Sequence, residues 1–112
     1  MRYILQIRDL ATARGRDPDL SFDGATAQTF ASALQSALRT PALFERWRAK
    51  QPEPDEVDPS LGATDAGATV SASGDESLTR TDVDVRTSLP HAILRQRMNW
   101  LVGDRWALSD VK

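Results

Sequence analysis

The sequence predicts an α+β domain: a small, mostly antiparallel sheet with helices packed on one face, in the order strand, kinked helix, acidic loop, hairpin, helix and short tail. Three observations carry this expectation. Residues 2–8 and 77–87 alternate with the period of a half-buried strand. Residues 25–39 and 89–102 instead repeat their apolar positions with the period of a helix. Between them lies a proline-rich, acidic stretch with neither period, and 112 residues suffice for one domain, 1–112, with a single core.

In the first strand Tyr3, Leu5 and Ile7 share one face and Ile4, Gln6 and Arg8 the other. Residues 11–23 read as loop, with Arg14-Gly15-Arg16 and Asp17-Pro18-Asp19 as turn material. Ala27, Phe30, Ala31, Leu34, Ala37 and Leu38 then form the stripe of the first helix, opposite an uncharged face carrying Gln28, Ser32, Gln35 and Ser36. Thr40-Pro41 breaks or kinks it, Thr40 serving as a cap, and Leu43, Phe44 and Trp47 make a short second stripe that ends before Pro52.

Residues 52–66 hold Pro52, Pro54 and Pro59 among Glu53, Asp55, Glu56 and Asp58, the composition of a mobile excursion. A strand over 68–73 is expected to turn through Gly74-Asp75 into the long strand 77–87. There Thr79, Thr81, Val83, Val85 and Thr87 take the packing face, and Arg80, Asp82, Asp84 and Arg86 line up on the other. That charged face reads either as a carboxylate pair between two anion-binding arginines or as a solvated face guarding a strand edge.

Ser88 is expected to cap the last helix, with Pro90 in its first turn and Gly103 as its left-handed stop. Leu89, Ile93 and Trp100 form one ridge, and Leu94, Met98, Leu101 and Val102 a second. Such a wide arc needs cover from the sheet and from another helix or a second copy of the chain. Arg97 falls inside that arc, so its guanidinium must snorkel to water or meet a carboxylate, with Asp82, Asp84 and Glu45 as candidates. His91, the single histidine, lies at the edge of the arc.

The chain has no cysteine, which removes disulfides, thiol nucleophiles and thiolate metal sites, and one histidine does not make a zinc site. No catalytic residue, metal or cofactor is expected. No run approaches a membrane span and the N-terminus is charged too soon for a signal peptide, so the expected compartment is the cytoplasm, without a membrane partner. Arginine supplies twelve of the fourteen basic residues and alanine is abundant, as in GC-rich bacterial or phage genomes.

Net charge is −2, with the negative excess in residues 51–88 and mildly basic ends, a poor electrostatic footprint for a dedicated nucleic-acid domain. Each tryptophan has arginine nearby, a pairing found at interaction hot spots. Trp106, beyond the helix stop, is the one expected to face a partner. The leading expectation is therefore a non-enzymatic protein-interaction module, with self-association into a homodimer as one form of it. The candidate binding residues are Trp106, Arg105, Arg97, Asp82 and Asp84. Two alternatives stand beside it: a nucleic-acid accessory protein using Arg14, Arg16, Arg95 and Arg105, and a small enzyme using Asp82 and Asp84 with Arg97 or His91.

Overall fold

The computed structural model describes residues 1–24, 26–74 and 79–112. Its elements are β1 (Arg2–Arg8), α1 (Ala27–Arg39), α2 (Ala42–Ala49), β2 (Thr69–Gly74), β3 (Arg80–Arg86), α3 (His91–Val102) and β4 (Trp106–Val111). The four strands form one sheet in the order β2-β3-β1-β4, every neighbouring pair antiparallel. β1 and β2 therefore flank β3, and β3 and β4 flank β1, which is the interleaving of two split β-α-β units.

Strand alternation decides which side of the sheet is dry. Tyr3, Leu5 and Ile7 of β1 and Thr81, Val83 and Val85 of β3 are buried under the helices, while their neighbours face solvent. α1 lays Phe30, Ala31, Leu34, Ala37 and Leu38 on this layer, and Thr26 caps it by accepting the Thr29 N–H at 3.0 Å. α1 also guards the outer edge of β2: Gln35 Oε1 accepts the Val70 N–H at 3.0 Å, and Arg39 Nε donates to the Ala68 carbonyl at 2.6 Å. α3 is fastened to β1 where the Tyr3 hydroxyl donates to the Leu89 carbonyl at 3.3 Å and the His91 ring stacks on Tyr3. His91 is thus an exposed packing partner of a core tyrosine.

The wide apolar arc of α3 is covered by the chain itself, with Ile93, Leu94, Met98, Leu101 and Val102 buried in the common core. Cover by a second copy is not needed there. Gly103 ends the helix at φ +65° as expected.

Four local expectations change. Residues 10–24 are not a bare solvated loop, because Leu10, Ala13, Leu20 and Phe22 are buried. Their spacing follows no period, which hides them from a pattern search. Thr40 does not open α2; its N–H and hydroxyl both bond back to the Ser36 carbonyl and close α1 instead. Ser88 does not cap α3, whose N-cap position is Pro90 without a side-chain bond. Last, the short tail is a strand: β4 pairs with β1 along its length. The hairpin turn expected at Gly74-Asp75 runs into residues 75–78 and lies outside the described residues, as does the first expected residue of α1.

The acidic stretch folds into two 3₁₀ turns, Pro54–Glu56 and Pro59–Gly62. Past it, Asp65 ties its own turn to the connection between β3 and α3, accepting the Thr87 hydroxyl at 2.8 Å, the Ser88 N–H at 2.9 Å and the Gly67 N–H at 3.0 Å. These bonds, that from the Ser88 N–H first, hold its carboxyl below the usual carboxylate range. A carboxyl with a lowered folded pKa contributes stability above its unfolded pKa and loses it as pH falls through the folded value. Asp65→Ala is therefore expected to lower the urea midpoint at neutral pH, with the deficit shrinking on acidification. A deficit that stays constant across the acid range contradicts this role.

Candidate functional site

The two edges of the sheet are treated differently. In β2 the outward Val70 N–H is bonded to α1, as is the Ala68 carbonyl just before the strand, whereas among the described residues no side chain from outside the strand bonds to the outer edge of β4. The ladder between β1 and β4 is fixed at its ends, by Arg8 N–H to the Arg105 carbonyl at 2.7 Å and by reciprocal Arg2–Lys112 bonds of 3.1 and 2.7 Å. Counting from Arg105, alternation turns Ala107 toward β1 and leaves the main-chain groups of Trp106 and Leu108 pointing away from it. No side chain among the described residues bonds to those groups.

The register shifts between Ile4 and Leu5, so that β4 carries an extra residue at Ser109. This bulge returns Val111, opposite Tyr3, to the same side as Trp106 and Leu108, which lie opposite Ile7 and Leu5. The helices do not reach far enough to cover them. Leu108 is 38% exposed and Val111 45%, and with Met1 at 70% they are the exposed large hydrophobic side chains among the described residues. By strand alternation Met1 belongs to the same face, beside the last residues of β4. Trp106 closes the patch from the inside, half-buried, its indole N–H donating to Asn99 Oδ1 at 2.9 Å.

Comparison with protein-family models, with curated proteins and with solved structures finds no match to this chain. Function has to be argued from the residues themselves.

Of the five candidate residues, Trp106 and Arg105 stand together at the start of β4. Arg105 is exposed, with a guanidinium nitrogen 3.7 Å from a carboxylate oxygen of Asp9. Asp82 and Asp84 lie on the opposite, helix-free face of the sheet. Asp84 accepts from Arg2 at 2.6 Å and is lowered in pKa chiefly by that hydrogen bond, and Asp82 pairs with Arg80 at 3.3 Å. Around them Ile4, Gln6, Ser71 and Ser73 form a shallow trough of about 530 Å³. Neither Arg97 nor His91 reaches it, since both belong to the helix side. No three His, Asp or Glu side chains come together as a metal site among the described residues.

Arg97 is fully buried, and it meets no carboxylate. Asp82 and Asp84 are on the wrong face, and Glu45 lies 3.6 Å from Arg48 instead. Its partners are carbonyl oxygens: Ala37 at 3.4 Å, Leu61 at 3.0 Å and Ala63 at 3.5 Å, with Gln96 Oε1 on the remaining side. Ala37 is in the last turn of α1, where carbonyls lack helical donors and carry the negative end of the helix dipole. The Phe44 and Trp100 rings sandwich the group at 5.8 and 5.0 Å from their centroids. Burial pulls its pKa down to about 10, so the cation persists at neutral pH. The expected ion pair is thus replaced by a carbonyl cage that fixes α1, α3 and the acidic segment to one another.

Leu108, Val111 and Met1 were not singled out by sequence reasoning. Their signal was present as the apolar alternation Trp106, Leu108, but the bulge at Ser109 shifts Val111 out of step and breaks the period.

Proposed function

We propose that this chain is a non-enzymatic protein-interaction module that associates with a second copy of itself through β4. The observation that carries the reading is the uncovered β4 edge, whose outward main-chain groups are bordered by the exposed apolar side chains Leu108 and Val111. Sheet edges are ordinarily blunted by charge, proline, a bulge or a covering element, and on the β2 side α1 takes up the outward Val70 N–H. Antiparallel pairing of β4 with its copy about a two-fold axis satisfies both sets of main-chain groups and joins the two sheets, with the apolar patches adjoining across the axis. The interaction is a modest one, since a single edge strand offers limited area and the bulge interrupts its ladder.

The other expectations draw less support. The nucleic-acid reading used Arg14, Arg16, Arg95 and Arg105; Arg14 and Arg105 are engaged with main-chain carbonyls and with Asp9, which leaves Arg16 and Arg95, two exposed arginines on a chain of net charge −2. The enzyme reading needs Asp82 and Asp84 to meet Arg97 or His91, and the sheet separates them.

Light scattering or sedimentation tests the proposal directly. At about 100 μM, tenfold above a dissociation constant of about 10 μM (roughly 7 kcal/mol), about four-fifths of the chains are paired and the expected average mass approaches twice that of one chain. Leu108→Lys with Val111→Lys returns it to the 12.3 kDa of a single chain, because like charges meet across the axis without disturbing the core. A wild-type protein that stays a single chain at this concentration overturns the reading.

A further inference from the structure

A second feature lies away from the β4 edge. The loop after β1, the C-terminal end of α2 and the last turn of α3 enclose a cleft of about 600 Å³, a volume typical of small-molecule sites. One wall is aromatic: the rings of Trp47 and Trp100 lie 5.2 Å apart at 30°, both half-buried. Arg97 packs on Trp100 from the protein interior, which fixes that ring in place.

The indole N–H groups of Trp47 and Trp100 hold no hydrogen bond among the described residues, in contrast to that of Trp106. Neither nitrogen is fully shut off from solvent, since Thr81 supplies the one buried side-chain polar atom without a partner among those residues. Two amides add polar groups. Gln51 Nε2 donates to the Trp47 carbonyl and leaves its Oε1 available, and Asn99 Oδ1 accepts from Trp106 and leaves its Nδ2 available.

The charges at the rim are sorted by their existing partners. Lys50 is held by Asp17 at 2.9 Å and Asp19 at 2.6 Å. Arg14 donates to the carbonyls of Ala13 and Gly24 and sits over Phe22. Arg16 is exposed and has neither a hydrogen bond nor an ion pair among the described residues. It is the rim cation left for an incoming anion. Asp104 also lines the cleft and offers a carboxylate acceptor.

We infer that this cleft binds a nucleoside monophosphate, free or as the 5′-phosphorylated end of a strand. Trp47 and Trp100 pack on each other and also contact Phe44 and Arg97, so these half-buried rings meet a base at their exposed edges, an edge-to-face arrangement that aromatic pairs favour whatever the base. The free indole and amide N–H groups match the acceptors on the rim of a base, Asp104 can accept from a ribose hydroxyl or an exocyclic amine, and Arg16 supplies a charge-assisted pair to phosphate. A neutral sugar or a purely apolar ligand leaves Arg16 unanswered.

Titration of tryptophan fluorescence with AMP, with adenosine and with a 5′-phosphorylated tetra-adenylate tests the inference. AMP is expected to quench saturably, adenosine to bind about tenfold more weakly, and Arg16→Gln to weaken AMP by about the same factor while leaving adenosine unchanged. Arg16 is exposed and unbonded, so its substitution does not threaten folding, and Trp47→Leu is expected to abolish both signals. Tighter binding of the tetranucleotide than of AMP assigns the site to strand ends, and equal or weaker binding assigns it to the free nucleotide. Absence of saturable quenching by either phosphate ligand overturns the inference. So does equal affinity for AMP and adenosine with Arg16→Gln indistinguishable from wild type. The double-lysine β4 variant leaves the cleft intact, so failure of the dimer and failure of this site are read separately.

Discussion

Replacing Arg97 with alanine is expected to destabilise the fold by about 3–5 kcal/mol, a large part of the 5–15 kcal/mol that typically holds a domain together. Two effects oppose one another. Removing the cation returns its desolvation cost, which the lowering of its pKa to about 10 puts at about 3 kcal/mol. Against that, the carbonyls of Ala37, Leu61 and Ala63 lose their donor, at about 1–3 kcal/mol each. The void beneath Phe44 and Trp100 adds about 3–5 kcal/mol, part of which entering water restores. The losses win. Arg97→Met separates the two, since it fills most of the volume while also removing the charge, and its expected cost is smaller, about 1–2 kcal/mol. Urea unfolding of the three proteins checks both values. An alanine variant within about 1 kcal/mol of wild type contradicts the cage as a source of stability.

Gly15→Ala is the second large effect. A Cβ on Gly15 would lie 2.1 Å from the Trp100 carbonyl oxygen and 2.9 Å from its carbon. Both are main-chain atoms of α3, so no rotamer change relieves the clash. The loop must lift away, straining the bond from Gly15 N–H to Ser21 Oγ at 2.9 Å and that from Phe22 N–H to the Leu101 carbonyl at 2.9 Å. The expected cost is about 2–4 kcal/mol, seen as a lower melting temperature, together with loss of the nucleotide signal because the same loop carries Arg16. Gly67→Ala is the control. The nearest atom to its Cβ is Asp65 Oδ1 at 3.5 Å, an ordinary contact, so its melting temperature should stay near that of wild type. Equal melting temperatures for Gly15→Ala and wild type contradict the close approach of loop and helix.

These two residues also mark where sequence reasoning stops. β1, α1 and β3 were legible because each buries one face and so repeats with period 2 or 3.6, and the lining up of Asp82 and Asp84 on one face followed from the same alternation. Arg97 was legible as an anomaly within an apolar arc, but its partners are main-chain carbonyls, which no side-chain pattern records. Ser88 looked like a cap because serine suits that role locally; its N–H is instead bonded to Asp65, a tertiary contact. The close approach at Gly15 has the same character, since the glycine looked like turn material and its neighbour is α3. β4 was hidden by its bulge. The cleft draws on three separated stretches, around Arg16, Trp47 and Asn99, so no local motif announces it.

The self-association claim rests on the outward main-chain groups of β4, and amide exchange resolved by residue reads them individually. The Leu108 N–H points away from β1 and should be protected when the protein is concentrated and exposed when it is dilute. The Ala107 N–H points toward β1 and should be protected at both concentrations. A Leu108 amide that exchanges without protection at every concentration, beside a protected Ala107, would contradict pairing through this edge.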